Sequence, residues 1–403
     1  MLYRDMGKTG DKVSILGYGC MRFPKKDRRT DEERTEKQIL SAIEQGVNYF
    51  DTAYIYPNSE VTLGRILAKG YRDKVMVATK LPPIMVHSAK DMETVLATQL
   101  KRLQTDYIDY YLMHSLGSME GWQRLKQLGV CEFLEKAKQA GKIRRIGFSF
   151  HGDKNQFKRI IDDYPWEFCQ IQYNYMDEYT QAGREGLEYA AAKGVGVIIM
   201  EPLRGGLLAR KMPPQVQAVF EQSEVKRTPA EWALRWIWNH PGVTSVLSGM
   251  NEESQIEENI RIANSAYPGA LSDSELKRIA EAKELLSGKV KVGCTGCGYC
   301  MPCPAGVNIP MCFGYYNDKY VYGKKSPEYL GMLSGIDGGT PAYASLCKDC
   351  GKCEKHCPQN LPVRKHLKEA AKDMEGFYFK PVVHLIRGYY KVRRSLKGGK
   401  KKG

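Results

Sequence analysis

The sequence lacks any apolar stretch approaching the ~20 residues that a membrane-spanning helix needs, which excludes a transmembrane protein. Its opening, MLYRDMGKTG, also lacks an apolar run of signal-peptide length. We therefore expect a soluble cytoplasmic protein with reduced thiols and no disulfide bonds. Cysteine is scarce before residue 294, where only Cys20, Cys131 and Cys169 occur, and packing is the usual role of such isolated thiols.

Eight of the twelve cysteines lie instead in two short runs near the C-terminal end, each followed by proline. The runs are Cys294-x2-Cys297-x2-Cys300-x2-Cys303-Pro304 and Cys347-x2-Cys350-x2-Cys353-x3-Cys357-Pro358. Thiolates three residues apart on a tight loop can converge on one inorganic cube, and proline turns the chain away after the remote ligand. The runs predict two [4Fe-4S] clusters and, with them, one-electron chemistry.

The spacing of the second run matches bacterial ferredoxins, whereas the first run has two residues rather than three before its last cysteine. We expect the crossed arrangement of two-cluster ferredoxins, in which each run gives its last cysteine to the other cluster. Cysteines 294, 297 and 300 would then share a cluster with Cys357, and cysteines 347, 350 and 353 would share one with Cys303.

Zinc is the alternative, because C-x2-C pairs also bind zinc and eight thiols can be divided between two tetrahedral sites. Zinc needs only two such pairs per site, while this chain supplies two uninterrupted quartets that each end in proline. The pattern therefore favours iron.

The formal net charge of +15 is concentrated in part at the C-terminal end, after the aromatic stretches 377–379 and 389–390. The basic residues there are Lys391, Arg393, Arg394, Lys397, Lys400, Lys401 and Lys402. Such a tail can bind nucleic acid, an anionic membrane or an acidic electron carrier. We prefer a solvated terminus, because the Gly-Lys end has the composition of a disordered segment, and we do not expect nucleic acid as a partner.

From residue 13 to about 266, short apolar runs alternate with helical stretches, which is the pattern of repeated βα units and a parallel sheet. Eight such units close into a TIM (β/α)8 barrel. The predicted strands are 13–17, 48–53, 75–80, 107–114, 143–150, 168–174, 195–202 and 243–250. The predicted domains are the barrel (1–287), a small ferredoxin-like iron–sulfur domain of helices and loops (288–375) and a basic C-terminal segment (376–403).

Three helix starts carry capping signals, in which a hydroxyl precedes a carboxylate in the first helical turn. They are Thr30 with Glu33, Thr228-Pro229 with Glu231, and Ser272 with Glu275. The helix that begins at Ser272 is expected to end at Ser287-Gly288.

Barrel enzymes carry their chemistry at the carboxyl ends of the strands, where strands two, three and four place Asp51, Lys80 and His114. Tyr56 follows shortly after Asp51. A buried Lys80 would pair with Asp51 and lower the pKa of Tyr56, which then becomes a usable proton donor. A neutral His114 could hold a carbonyl oxygen by a hydrogen bond. The alternative is an ion pair that stabilises the barrel mouth, with a histidine satisfied in the core.

These residues lie in the motifs FDTAYIY and ATK, and the chain also contains YRDMGKTGDKVSILGYG, IGFS, CQIQYN, EPLRGG and EENI. From about residue 3 to 266 it resembles the aldo-keto reductase family. The resemblance implies that Asp51, Tyr56, Lys80 and His114 are catalytic. It also implies that Ser149 and Gln170 hold the carboxamide of a nicotinamide, and that Glu258 and Asn259 hold the adenine. The remaining cofactor contacts that it implies are Gly19, Cys20, Met21, Met200, Pro202, Leu203, Gly249 and Gln255.

Some positions depart from the family pattern. Phe150 stands where the family often has asparagine, and Met200 stands where an aromatic residue usually stacks on the nicotinamide. Gly249 and Gln255 replace the basic residues that typically bind a 2′-phosphate, so we expect NADH to be preferred over NADPH. Arg204 or Arg210 could compensate.

With its cysteine runs, the whole chain resembles the aldo-keto reductases of anaerobic microbes that carry a ferredoxin domain. We expect it to interconvert a small carbonyl compound and its alcohol, while the clusters relay electrons to or from a ferredoxin or flavodoxin. Because a nicotinamide gives two electrons as a hydride and a cluster accepts one, a flavin is a possible converter, although no flavin motif is visible. The alternatives are an NADH-dependent carbonyl reductase with structural clusters and a non-catalytic electron-transfer or redox-sensing module. Met21, Trp122 and His151 could line the substrate pocket, although such side chains are more often packing.

Overall fold

The computed structural model describes residues 1–27, 29–323, 327–334, 340–385 and 388. The basic residues from Lys391 to Lys402, and the aromatic pair at 389–390, lie outside the described residues. Contacts divide the described chain into two compact units. The first comprises residues 1–210 and 223–280, and the second comprises residues 211–222 and the described residues from 281 onward. No helix in these ranges is both long enough and apolar enough to cross a bilayer.

The first unit is a closed barrel of eight parallel strands in sequential order, which confirms the predicted fold. Alternating apolar residues place one face of each strand in the interior and the other under the helices. The strands are β1 (Leu16–Gly19), β2 (Tyr49–Asp51), β3 (Met76–Leu81), β4 (Ile108–Leu116), β5 (Ile143–Phe150), β6 (Phe168–Gln172), β7 (Gly196–Met200) and β8 (Ser245–Ser248). The pairing of Val246 with Leu16 joins β8 to β1 and closes the barrel.

The predicted first strand is wrong in one respect, because 13–17 is not a single strand. Lys12–Ser14 pairs with Tyr3–Asp5 in an antiparallel hairpin, and β1 begins only at Leu16. The cause is local hydrogen bonding: the Ser14 amide donates to the side chain of Asn48 at 2.7 Å, and the Ser14 hydroxyl donates to the carbonyl of Leu16 at 2.7 Å. A second hairpin joins Lys25–Lys26 to Arg29–Thr30.

Fifteen α-helices occur in the described residues. They are α1 (Glu32–Glu44), α2 (Ser59–Leu67), α3 (Ala89–Leu103), α4 (Met119–Gln127), α5 (Val130–Gln139), α6 (Lys154–Asp163), α7 (Gly183–Ala192), α8 (Pro214–Glu221), α9 (Pro229–Trp238), α10 (Glu253–Ala263), α11 (Asp273–Ser287), α12 (Ile309–Tyr322), α13 (Pro327–Leu333), α14 (Lys352–Lys355) and α15 (Val363–Met374). Short 3-10 turns occupy Arg72–Lys74, Pro83–Met85, Arg204–Ala209 and Ala344–Leu346.

Two of the three predicted helix starts are confirmed. The Thr228 hydroxyl accepts from the amide of Glu231, and Ser272 and Glu275 form a reciprocal capping box before α11. The prediction of Thr30 is wrong, because the carboxylate of Asp31 caps α1 by accepting from the amide of Arg34. Asp31 directly follows Thr30 and is an equally good cap, so the residue types alone did not separate them.

Apolar side chains fill the amino-terminal half of the barrel interior. This plug comprises Met6, Val13, Tyr49, Ala78, Tyr110, Leu112, Phe168, Ile198 and Leu247. Polar side chains are consequently concentrated at the carboxyl ends of the strands, as in other barrels of this type. In the second unit, α12 and α15 bury an apolar core that includes Phe313, Tyr316 and Leu367.

Candidate active site and cluster ligands

Lys80 and Asp51 form a buried ion pair at the ends of adjacent strands β3 and β2. The Lys80 ammonium lies 2.7 Å from each carboxylate oxygen of Asp51 and donates a further 2.7 Å hydrogen bond to the carbonyl of Thr52. The exposed fractions are only 1% for Lys80 and 3% for Asp51. Burial raises the pKa of Asp51, while Lys80 and a hydrogen bond from Gln170 oppose that rise. The pairing that we expected from the sequence is therefore present.

Tyr56 and His114 lie beside this pair. The Lys80 ammonium is 5.3 Å from the centre of the Tyr56 ring, and the rings of Tyr56 and His114 meet edge to face at 6.0 Å. Burial, followed by the nearby Lys80 and His151, lowers the pKa of His114 well below its usual value, so the imidazole is neutral. The four predicted catalytic side chains thus share one site, and a catalytic role for each remains a prediction.

A buried polar network that we did not predict joins α2, α3 and β3 next to these residues. Glu60 of α2 accepts from the hydroxyl of Thr79 at 2.6 Å and from Gln99 at 3.0 Å, and it pairs with Arg102 at 3.0 Å. Arg102 also stacks on the ring of Tyr54 at 4.2 Å and donates to the Tyr54 carbonyl. The network therefore links the strand that carries Lys80 to the loop that carries Tyr56. Polar residues on buried helix faces were the only signal for it in the sequence.

Ser149 and Gln170 are paired neighbours on β5 and β6, as a shared role in binding an amide requires. The Ser149 hydroxyl accepts from the amide of Ser115 at 2.7 Å and keeps its own proton to donate. The Gln170 amide nitrogen contacts the Met200 sulfur at 3.7 Å. Its side-chain oxygen is buried without a hydrogen-bond partner among the described residues. An uncommitted acceptor beside a donor fits a carboxamide such as that of nicotinamide.

Phe150 does not face this site. It packs at 5.1 Å against Phe157 of α6 and at 6.2 Å against Phe148. Successive strand residues point to opposite faces, so the inward Ser149 fixes Phe150 outward. The departure from the family at Phe150 therefore carries no information about what binds in the barrel mouth.

The residues predicted to bind the rest of a dinucleotide lie around the ends of β1 and β8. Gly19 ends β1 and leads into the buried Cys20 and the half-buried Met21, while Gly249 follows β8. On α10, Asn259 donates to Ser248 at 3.0 Å, Glu258 accepts from Thr228 at 2.6 Å, and Gln255 accepts from the amide of Asn251 at 3.1 Å. The structure thus brings these predicted residues to one edge of the barrel mouth.

Arg22 is a cation that sequence reasoning missed at this edge. A methyl group placed on Gly249 would lie 3.8 Å from the Cβ of Arg22, so the arginine side chain runs past Gly249. The two residues are far apart in sequence and become neighbours only because β8 pairs with β1. In the sequence, the one indication of this position was that Arg22 directly follows the predicted cofactor contacts Gly19, Cys20 and Met21.

The loop after β7 contains Pro202 and Leu203 between two residues with left-handed backbone, Glu201 (φ 54°) and Arg204 (φ 48°). Arg204 pairs with Asp177 at 3.1 Å, and both side chains are largely buried. This ion pair commits Arg204 to the protein, which weakens the suggestion that it compensates for the missing phosphate-binding cations. Arg210 ends the first of the two segments of the barrel unit and is exposed.

Of the three residues considered for the substrate pocket, Trp122 is a packing residue. It is fully buried against Trp166 at 4.9 Å, and its indole donates to Asp163 at 2.6 Å. His151 lies at the end of β5, close enough to His114 to affect its pKa, and hydrogen-bonds Gln181 at 3.2 Å. His151 therefore borders the predicted catalytic site.

None of the twelve cysteines forms a disulfide bond. In the second unit, a cavity of about 350 Å³ is lined by cysteines from both runs, namely Cys300, Cys303, Cys347, Cys350 and Cys353. Burial, together with the neighbouring thiols of Cys297, Cys294 and Cys357, raises the pKa of Cys300 to about 12. Cys303 thus lies beside cysteines of the second run, and Cys357 lies near Cys300, but Cys300 lines the same cavity, so the crossed ligation stays a prediction.

The donor set fits iron–sulfur clusters. The amides of Gly296 and Asp349 donate to the sulfurs of Cys294 and Cys347, each at 3.4 Å, and such hydrogen bonds tune cluster potentials. In the described part of the chain, no three His, Cys, Asp or Glu side chains converge as ligands of a single metal ion. A cluster spreads its four thiolates over several irons, and two runs of closely spaced cysteines can supply such ligands.

Comparisons with known proteins agree with both units. Residues 15–284 match the Aldo/keto reductase family, and residues 293–361 match the 4Fe-4S dicluster domain. An uncharacterized oxidoreductase of Bacillus subtilis, YrpG, is 28% identical and covers 67% of this chain and 97% of its own length. The NADH-specific methylglyoxal reductase of Escherichia coli is 26% identical, and the alignment covers 70% of this chain and 98% of that protein.

A solved structure shows the same fold. The holo form of an aldo-keto reductase from Bacillus halodurans superposes with a TM-score of 0.58 at 27% identity, covering 70% of this chain and 96% of that protein. The closed barrel, its buried Asp51–Lys80 pair and the two cysteine runs agree with these matches. The chain is therefore an oxidoreductase that belongs to the aldo/keto reductase family and carries a C-terminal 4Fe-4S dicluster domain of the ferredoxin type.

Proposed function

We propose that the barrel interconverts a small carbonyl compound and its alcohol, with Asp51, Tyr56, Lys80 and His114 as the catalytic group. The proposal rests on one observation, the grouping of these four side chains around a buried ion pair at the ends of β2 to β4. A bound nicotinamide supplies or accepts the hydride. Ser149 and Gln170 would hold its carboxamide, and Gly19 to Met21, Met200 to Leu203, Gly249, Gln255, Glu258 and Asn259 would contact the rest.

Each of the four residues has a distinct role in this proposal. Tyr56 gives its phenolic proton to the substrate oxygen, and the Lys80 cation favours the phenolate that remains. Asp51 holds the Lys80 ammonium in place through two 2.7 Å contacts. His114 is neutral, so it keeps one N–H that can donate to the substrate oxygen and one unprotonated nitrogen.

Replacement of Tyr56 by phenylalanine tests this assignment. With NADH and methylglyoxal, a substrate chosen from the name of one relative, the variant should lose about 10² to 10⁴ in kcat/KM. Tyr54→Phe is the matched control, because it removes a hydroxyl from the same loop and leaves Tyr56 intact. Full activity in Tyr56→Phe would favour the non-catalytic electron-transfer or redox-sensing alternative.

We further propose that the two clusters relay single electrons between the barrel chemistry and a ferredoxin or flavodoxin, through a flavin converter. The dicluster match and the paired cysteine groups support the clusters. Iron, acid-labile sulfide and released flavin, measured on protein purified without oxygen, test the relay. Flavin-free protein whose NADH-driven turnover survives cluster removal would support structural clusters instead.

The crossed ligation is tested by replacing the last cysteine of each run, one at a time, with serine. Cys303→Ser and Cys357→Ser should each leave one intact cluster, and the two variants should give different electron paramagnetic resonance spectra because each affects a different site. If Cys303→Ser instead abolished the cluster held by cysteines 294, 297 and 300, ligation within each run would replace the crossed arrangement.

For the cofactor we propose a preference for NADH, supported by the absence of basic side chains at Gly249 and Gln255 and by the Arg204–Asp177 pair. Arg22, beside Gly249, is the cation that could reverse it. We expect a lower KM for NADH than for NADPH, and Arg22→Ala should change the ratio by less than about tenfold. A strong NADPH preference that is lost in Arg22→Ala would instead make Arg22 the 2′-phosphate ligand.

A further inference from the structure

The second cysteine run lies at a surface of the second unit that carries three lysines. Among the eight cysteines of the two runs, all of them described, Cys350 is the exposed one; Lys348 and Lys352, two residues to either side, are exposed as well, and so is Lys355 at the end of α14. We call these three lysines the Cys350 lysine patch. Lys348 and Lys352 also line the cavity that contains Cys347, Cys350 and Cys353, so the patch borders the predicted cluster site itself.

The acidic residues near the patch are neutralised by other cations. Asp349 pairs with Lys368 at 2.7 Å and with Arg364 at 3.6 Å, and Glu354 pairs with Arg364 at 2.8 Å. Within the described ranges, none of the three patch lysines has an ion-pair partner. Their charge is therefore directed to solvent, and the surface over the cavity is positive.

A positive surface around an exposed thiolate has the electrostatics of a docking site for an acidic protein. Complementary charge speeds association and orients the partner, and its effect is strongest at low salt. Orientation matters here because a one-electron donor must bring its own redox centre close to the cluster. Lys348 and Lys352 border the cavity beside Cys350, so these cations would place the partner next to that cysteine.

We propose that the Cys350 lysine patch docks an acidic ferredoxin. The inference rests on the proposed electron relay and gives it a place on the surface. The reduced ferredoxin loses one electron, the cluster held by the second cysteine run gains it, and no bond or proton changes hands. In the opposite direction the same contact returns the electron to oxidised ferredoxin.

The test compares two triple variants that change net charge equally. The patch variant is Lys348→Glu with Lys352→Glu and Lys355→Glu. The control variant is Lys90→Glu with Lys101→Glu and Lys136→Glu, three exposed lysines of the barrel helices α3 and α5. Binding of an acidic two-[4Fe-4S] ferredoxin is measured by biolayer interferometry under anaerobic conditions at low and at physiological salt.

We expect the patch variant to weaken ferredoxin binding by more than about tenfold and to lose most of its salt dependence, and the control to change by less than about threefold. Equal weakening in both triples, or no salt-dependent binding by the unaltered protein, would overturn the proposal. Patch-dependent binding of a short DNA duplex in place of ferredoxin would also overturn it.

Iron and sulfide content must be unchanged in the patch variant. A second triple with glutamine at the same positions removes the charge without reversing it and should give a smaller loss in the same direction. Carbonyl reduction by the barrel is measured on the same preparations. If Tyr56→Phe is fully active while ferredoxin binding still depends on the patch, the catalytic assignment in the barrel fails and the docking site stands. If Tyr56→Phe is inactive while ferredoxin binding does not depend on the patch, only the docking site is refuted.

Discussion

Replacing Lys80 by methionine should destabilise the barrel far more than its loss of three hydrogen bonds suggests. Met fills a similar volume but leaves the carboxylate of Asp51, which is only 3% exposed, without its cation. Breaking a buried pair in this way costs about 3 to 5 kcal/mol, because one charge remains buried and uncompensated. Lys37→Met is the matched control. Lys37 and its partner Glu33 are both exposed, so we expect a much smaller loss of stability than in Lys80→Met.

Removing both charges should cost less than removing one. The double variant Asp51→Asn with Lys80→Met leaves no buried charge, and we expect it to recover about 2 kcal/mol relative to Lys80→Met alone. The pH dependence follows the same logic. Burial already raises the pKa of Asp51, and without Lys80 the rise is larger. The destabilisation of Lys80→Met should therefore be greatest at high pH and diminish as falling pH protonates Asp51.

Tryptophan fluorescence during urea unfolding measures this directly, because all five tryptophans lie in the barrel unit. The fluorescence therefore originates in the barrel unit. A loss below about 1 kcal/mol in Lys80→Met, or a double variant as unstable as the single one, would refute the view that an uncompensated buried charge decides the stability here.

Two further results are expected. Burial lowers the pKa of His151 and His240 from 6.5 to about 4. Between pH 6.5 and 4 the unfolded chain therefore binds more protons than the folded chain. The urea concentration at the unfolding midpoint should be constant above about pH 6.5 and should fall as the pH is lowered from 6.5 to 4. A midpoint independent of pH in that range would contradict this. Gly64→Ala should destabilise the barrel by more than about 2 kcal/mol, since its methyl group would lie 2.4 Å from the carbonyl oxygen of Arg102. Gly121→Ala is the control, because its methyl group would make only an ordinary van der Waals contact, 3.5 Å from the Ser118 hydroxyl oxygen; it should be neutral or stabilising in the same fluorescence assay.

Much of the barrel was predictable because its determinants are local. Short apolar runs that alternate with helical stretches predicted eight strands, and the predicted strand 143–150 coincides with β5. The Asp51–Lys80 pair also followed from the sequence, since parallel strands that are neighbours bring their carboxyl ends together. The first strand was wrong because one continuous apolar pattern covers a hairpin strand and a barrel strand, and only the hydrogen bonds of Ser14 separate them.

What the sequence did not reveal depends on closure of the barrel and on packing between helices. Arg22 and Gly249 meet because the last strand pairs with the first. Glu60 meets Thr79 and Arg102 because α2 and α3 pack against each other. The outward direction of Phe150, by contrast, follows from the strand alternation that places Ser149 inward.

The plug of apolar side chains closes the amino-terminal end of the barrel, so only the carboxyl end is open. The amino-terminal hairpin contributes Val13 to this plug. Dinucleotide and organic substrate would then enter and leave through the same opening. A nicotinamide ring seated against Ser149 and Gln170 would be covered by whatever binds above it, so kinetics should be ordered, with the dinucleotide first on and last off. The rate at which the spent dinucleotide departs would then set an upper limit on turnover, however fast the chemical step.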